Sequence, residues 1–216
     1  MKYLQKLGGF SAFYLAMSYV FGFAIFIIVL DYPSITNPSQ KMELIVNQKD
    51  IIFTTNILMY VLFGFFLIFL NLALYEKLKD KTPILIKIAT SVGIVWAALL
   101  IGSGMVSNAG LIPAITLYQA DPVQGTTYWY AIETIANGLG GQNGEILGGV
   151  MTLLISVAGL RGGLLPKNLN FLGIIVGVVG IITILPGFVS FVSIFAMSQI
   201  IWFIWLGIIL VKTTRD

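Results

Sequence analysis

Residues 88–108 read IATSVGIVWAALLIGSGMVSN, with no charged side chain in the run. A helix crossing the hydrocarbon core needs about 20 apolar residues at 1.5 Å rise each, so this stretch predicts a transmembrane helix, and the rest of the chain repeats the pattern. Hydrophobic residues make up 58% of the 216 and charged residues 10%, with a mean hydropathy of +0.96, where a soluble domain carries roughly a quarter charged residues. Working outward gives six apolar stretches: Leu7–Leu30, Ile51–Tyr75, Ile84–Ala109, Leu139–Leu160, Leu169–Leu185 and Phe188–Val211. The expected fold is all-α, a polytopic transmembrane helical bundle of six spans forming one transmembrane domain over residues 1–216. Lys2 and Lys6 before the first span resemble the start of a signal peptide, but the run is longer than an h-region and ends in Asp31 and Pro33 rather than a cleavage site, so it reads as a retained helix.

Orientation follows the positive-inside rule. With the N-terminus inside, Lys2, Lys6, Lys77, Lys79, Lys81, Lys87, Arg161, Lys167, Lys212 and Arg215 are all cytoplasmic, and of the 12 basic residues only Lys41 and Lys49 fall outside. Both termini are therefore expected in the cytoplasm. The net charge of +3 and pI near 9.1 then reflect topology and give nucleic-acid binding no support. With His 0 and Cys 0, the usual ligands of zinc, copper, haem and iron–sulfur centres are missing, as are disulfides and Cys–His or Ser–His nucleophiles. No metal site, cofactor or catalytic residue is nominated.

Two outer loops remain. Asp31–Asp50 carries Pro33, Pro38 and room for a short polar helix over Lys41–Asp50. Gly110–Gly138 contains Asp121-Pro122, an N-cap followed by proline at the first helical position, then the aromatic run Tyr128, Trp129 and Tyr130. It reads as a helix lying on the outer membrane surface, with Glu133 on a solvated face.

Residues 138–149 read GLGGQNGEILGG and place one carboxylate, Glu145, near the outer end of the fourth span. Gly141, Glu145, Gly149, Thr152, Ser156 and Gly159 recur at spacings of three and four, a continuous small or polar helix face. Its plain reading is helix packing, a theme repeated by Gly173 and Gly177 in the fifth span. Glu145 has two readings: the first turn of a helix starting near Asn143 in the wet interface, or a group facing the bundle interior as a proton or cation site. In the second reading, Gln142, Asn143, Ser107, Asn108 and the deeper Gln199 are the neutral ligands beside it. The glycines make no phosphate loop, since the Lys-Ser/Thr end is missing, and the spacing of Glu133 and Glu145 does not suit a hydrolytic carboxylate pair. Pro186-Gly187 reads as the outer turn between the last two spans.

The segments IATSVGIVWAALLIGSGMVSN, GLGGQNGEILGG, LPKNLNFLGIIVGVVG and SQIIWFIWLGIIL carry a resemblance, in order over most of the chain, to a bacterial six-helix integral-membrane family of unknown function (DUF4386-like). The resemblance implies a shared bundle in the bacterial cytoplasmic (inner) membrane, with no assigned activity and no site residues to carry over.

Three functions are open. The leading one is a non-enzymatic component that packs against copies of itself or other membrane proteins through the glycine faces, in contact with the lipid bilayer. The alternative is a small-solute, proton- or cation-linked transporter or binder using Glu145. The last is a lipid-modifying enzyme acting through Glu133 and Glu145.

Overall fold

The computed structural model describes residues 2–140, 145–185, 187–188 and 190–212. Among these residues there are helices and no strands. α1 (Lys2–Phe23) runs on through a π-helical segment, Ala24–Val29. A 3₁₀ turn, Tyr32–Ser34, then leads to α2 (Pro38–Asn47). α3 (Lys49–Asn56) passes through a second π segment, Ile57–Leu62, into α4 (Phe63–Leu78). α5 (Pro83–Ala120), α6 (Pro122–Leu139), α7 (Glu145–Gly162), α8 (Lys167–Ile182) and α9 (Phe191–Lys212) complete the bundle. The protein is a multi-pass membrane protein. Among the described residues, five helices are long and apolar enough to cross a membrane: Lys2–Val29, Lys49–Leu78, Pro83–Ala120, Glu145–Gly162 and Phe191–Lys212. α8, where a sixth span was expected, is apolar but shorter, at 16 residues.

Local chemistry fixes the ends. Asn37 Oδ1 accepts from the backbone N–H groups of Ser39 and Gln40, with Pro38 at the first helical position of α2. Asp121 caps α6 in the same way, accepting from Val123 and Gln124 before Pro122; side chain and proline together satisfy or remove donors that a helix start leaves open. Gly163, at φ +66°, terminates α7 in the left-handed conformation that costs glycine nothing. Pro186 of the expected Pro186-Gly187 turn lies outside the described residues.

The basic residues gather at one end. Gly8 of α1 abuts Ala73 and Leu210, Gly9 abuts Gly207 and Val211, and Gly162 faces Lys81. The start of α1, the α4–α5 turn, the end of α7 and the end of α9 therefore meet there, bringing Lys2, Lys6, Lys79, Lys81, Arg161 and Lys212 to one face. Trp96, Trp202 and Phe203 fill the centre of the bundle, with Phe63 edge-on to both Trp96 (5.9 Å) and Phe203 (6.4 Å). Large apolar side chains such as Met17, Ile28, Ile84 and Ile175 stand exposed on the outside, as a lipid-facing surface requires.

The largest departure from expectation is at the other end. Residues 110–138 do not form a loop with a helix lying on the surface. α5 continues through Pro113 to Ala120, and its 38 residues make about 57 Å against a hydrocarbon core of about 30 Å. α6 then folds back antiparallel along it. Glycines make the approach close: a Cβ on Gly125 would strike the backbone of Tyr118, and one on Gly110 would stand 2.7 Å from Ile132. Ser103 Oγ donates to Ala136 O (2.8 Å) lower in the same hairpin. Glycine and proline near residue 110 look like a helix end in sequence; here Gly110 is the space that lets a partner helix in. A second apolar cluster, built on Met42, Ile45, Leu111, Ala114 and Trp129, packs α2 against this hairpin.

Candidate functional site

The hairpin, α2 and the ends of α1, α3, α7 and α9 remote from the lysine-rich face enclose a cavity of about 650 Å³, within the range of small-molecule sites. Its walls come from segments far apart in the chain. α1 supplies Ser18, Tyr19, Gly22 and Phe23; the α3–α4 helix Asn56, Met59 and Tyr60; α5 Trp96, Leu100, Ser103 and Ser107; α6 Trp129, Glu133, Ala136, Asn137 and Gly140; α9 Phe195 and Ala196. Glu145, in the first turn of α7, completes the inner end.

At the mouth, Lys41 Nζ donates to Glu133 Oε1 and Oε2 at 3.2 and 3.3 Å, and the Tyr32 hydroxyl donates to Oε1 at 2.7 Å. The lysine ammonium also lies 4.6 Å from the Tyr32 ring centroid. Burial, and then the neighbouring Glu133 carboxylate that accepts its hydrogen bond, push the Tyr32 phenol well above the ordinary tyrosine range. Glu133 is thus not on a solvated face: α6 turns it inward, and the ion pair compensates its charge. The indole N–H of Trp129, a side chain 6% exposed, has no hydrogen-bond acceptor in good geometry, although the Tyr32 phenol is close enough to feel it.

At the inner end, Glu145 Oε2 is buried and has no hydrogen-bond partner. Tyr19 and Tyr60 both lie within its electrostatic reach. One turn further along α7, Gly148 abuts Trp96 and Phe195, and these two rings line the same cavity as the carboxylate and the two tyrosines. It belongs to the first turn of α7 and to the wall of the cavity at once.

Of the residues nominated with it, Ser107 lines the cavity. Asn108 lies behind the wall, where its Oδ1 accepts from Asn56 Nδ2 (2.9 Å) and its own Nδ2 donates to Phe53 O (3.1 Å). Gln199 is fully buried and exchanges two hydrogen bonds with Thr152, 3.2 and 3.3 Å long, away from the cavity. Gln142, Asn143 and Gly141 lie outside the described residues. The remaining small-residue positions meet within this chain. A Cβ on Gly149 would stand 2.7 Å from Gly177 O; Gly173 packs on Ser156 and Trp202; Gly159 packs on Asn170 and Leu165. The glycine face of α7 is therefore covered by α8 of the same molecule.

Sequence reasoning did not nominate Lys41, Tyr32, Tyr19, Tyr60, Trp96 or Trp129. Lys41 carried a signal, being one of two basic residues off the lysine-rich end. The tyrosines and tryptophans carried none, because aromatic residues in a membrane chain serve cores and interfaces as readily as ligand sites.

A family model described as Domain of unknown function (DUF4386) matches residues 10–212. No curated protein and no solved structure matches the chain.

Proposed function

The chain belongs to the DUF4386 family, whose function is unknown, and from that premise we propose that it is a membrane-embedded binder or carrier of a small solute, with Glu145 as the charged group of its site. One observation carries this reading: a cavity of about 650 Å³ contains a carboxylate whose Oε2 is buried and unpartnered. A polar group left so costs several times the net gain of an ordinary hydrogen bond, and a bound solute removes that cost.

The glycine faces that suggested assembly pack α7 against α8 within this chain, which favours the cavity reading over it. An enzyme using Glu133 and Glu145 as an acid–base pair is disfavoured as well, since Glu133 is held by Lys41 and Tyr32. Taking the lysine-rich end as cytoplasmic by the positive-inside rule, this reading has six spans, α8 included, with both termini on the cytoplasmic side of the bacterial inner membrane and the cavity opening outward.

The chain's lack of cysteine makes the test direct. In sealed vesicles, Ser107→Cys on the cavity wall is expected to react with a membrane-impermeant thiol reagent added on the cavity side. Ser156→Cys, at a fully buried position, is expected to resist. Equal resistance at both positions overturns a solute-accessible site.

A further inference from the structure

Resting on that reading of the cavity, we infer that its ligand is an elongated monovalent organic cation: an amine whose ammonium sits on Glu145 among aromatic rings and whose far end offers a hydrogen-bond acceptor to Trp129. Charge sets the sign. Among the described residues that line the cavity, three carry a basic or carboxylic group, Lys41, Glu133 and Glu145, and the first two neutralise each other at 3.2 Å. The carboxyl group left without a basic partner is Glu145 at the inner end, where an anion is disfavoured and a single positive charge would hold the carboxylate ionised.

The surroundings of that carboxylate select the kind of cation. A hard metal ion takes about six to eight oxygen ligands, and among the described residues no group of three or more His, Cys, Asp or Glu could hold one. The cavity that holds Glu145 is lined instead by rings: Tyr19 and Tyr60, within electrostatic reach of the carboxylate, and Trp96, Phe195 and Phe63. Ring faces attract an ammonium or alkylammonium group through the π quadrupole, while offering nothing to an ion that must keep its oxygen shell.

Length follows from the helix register. Trp129 lies seven residues before Ala136 on α6, about 10 Å at 1.5 Å per residue. Ala136 is level with Ser103 of α5. Glu145 lies deeper, between the levels of Leu100, against Gly140, and Trp96, against Gly148. The two poles are thus roughly 18 Å apart along the cavity, measured between backbone levels. The outer pole is a donor: Trp129 Nε1–H is buried without a good acceptor, and indole donates only.

The test uses the full chain in discs of zwitterionic lipid, with empty discs subtracted, and calorimetric titration of mono-acetylated diaminooctane, which has an ammonium at one end and an amide carbonyl at the other. The alcohol of the same length and acetyl end is the neutral control, and sodium and calcium ions are titrated alone. Saturable binding of the amine, at least about tenfold tighter than the alcohol, is expected. Glu145→Gln should reduce the amine to the affinity of the alcohol, and Trp129→Phe should weaken both probes several-fold without changing their ratio. Equal affinities for amine and alcohol in the unmodified protein overturn the cation and leave the solute-binding reading standing. Saturable sodium or calcium binding without amine binding overturns the organic ligand. Failure of every probe to saturate also overturns the inference, and the Ser107 labelling then decides the cavity reading by itself. The amine-to-alcohol comparison needs no variant, so poor folding of Glu145→Gln does not spoil it.

Discussion

Lys41 and Glu133, 92 residues apart in the chain, close an ion pair of 3.2 Å that ties α2 to the α5–α6 hairpin over the mouth of the cavity. Their side chains are 26% and 18% exposed, between a surface pair worth up to about 1 kcal/mol and a buried one whose breaking costs about 3–5 kcal/mol. Lys41→Met leaves a half-buried carboxylate with one phenol for company and should cost about 1–2 kcal/mol, a loss of a few degrees in melting temperature in detergent. The double change Lys41→Met with Glu133→Leu removes both charges and should recover part of that loss. A double variant as unstable as the sum of the two singles would show that the pair has no coupling.

Tyr32 makes the clasp resistant to alkali. Its phenol is raised by burial first and by Glu133 second, and only the protonated form can donate to Glu133 Oε1. A group whose folded value lies above its unfolded value contributes stability fully below the unfolded value, about 10 for tyrosine, and loses it as pH rises from there through the folded one. The melting-temperature gap between the protein and Tyr32→Phe should therefore be flat from about pH 6 to 9 and narrow only above about 10. A gap that closes below pH 9 would mean that the hydroxyl is not held this way.

Two glycines give a paired test of packing. At Gly149 a Cβ would meet backbone, 2.7 Å from Gly177 O and 2.8 Å from Ile181 N, and backbone cannot swing aside. Gly149→Ala should force α7 from α8 and cost about 1–3 kcal/mol. At Gly138, near the end of α6, a Cβ meets nothing within 4 Å, so alanine should be neutral or stabilising by up to about 1 kcal/mol. Denaturation of the two variants under one condition checks both. Equal stability would mean the α7–α8 contact is loose.

The same glycines show how far the sequence could be read. Spacings of three and four made Gly149, Thr152, Ser156 and Gly159 a packing face, and local periodicity suffices because the face belongs to one helix. What it packs against is not local: Gly177 could as well have been waiting for another chain. The α5–α6 hairpin was hidden for a related reason. Gly110 and Pro113 are helix-ending residues by local chemistry, and only the Ile132 side chain in the space above Gly110 reveals that the helix continues. Glu145 stood out as a charge in an apolar run, whereas Lys41, Tyr32 and Trp129 reach the cavity from segments far apart in the chain, a convergence no local spacing encodes.

Thr152 and Gln199 separate structure from ligand binding most cleanly. Both are fully buried, and they exchange hydrogen bonds, Thr152 Oγ1 to Gln199 Oε1 at 3.3 Å and Gln199 Nε2 to Thr152 Oγ1 at 3.2 Å. In an apolar bundle such a contact is worth about 0.6–2 kcal/mol, but removing one partner strands the other's polar atoms at a further cost. Gln199→Leu and Thr152→Val should each lower stability by about 1–2 kcal/mol, and the double variant should lose less than the sum, because it leaves no stranded group. Neither position lines the cavity, so all three variants should bind a cavity ligand with unchanged affinity once folded. Thermal unfolding reads the first expectation and calorimetry of the amine probe the second. A variant that keeps its melting temperature and loses the ligand would return Gln199 to the binding site.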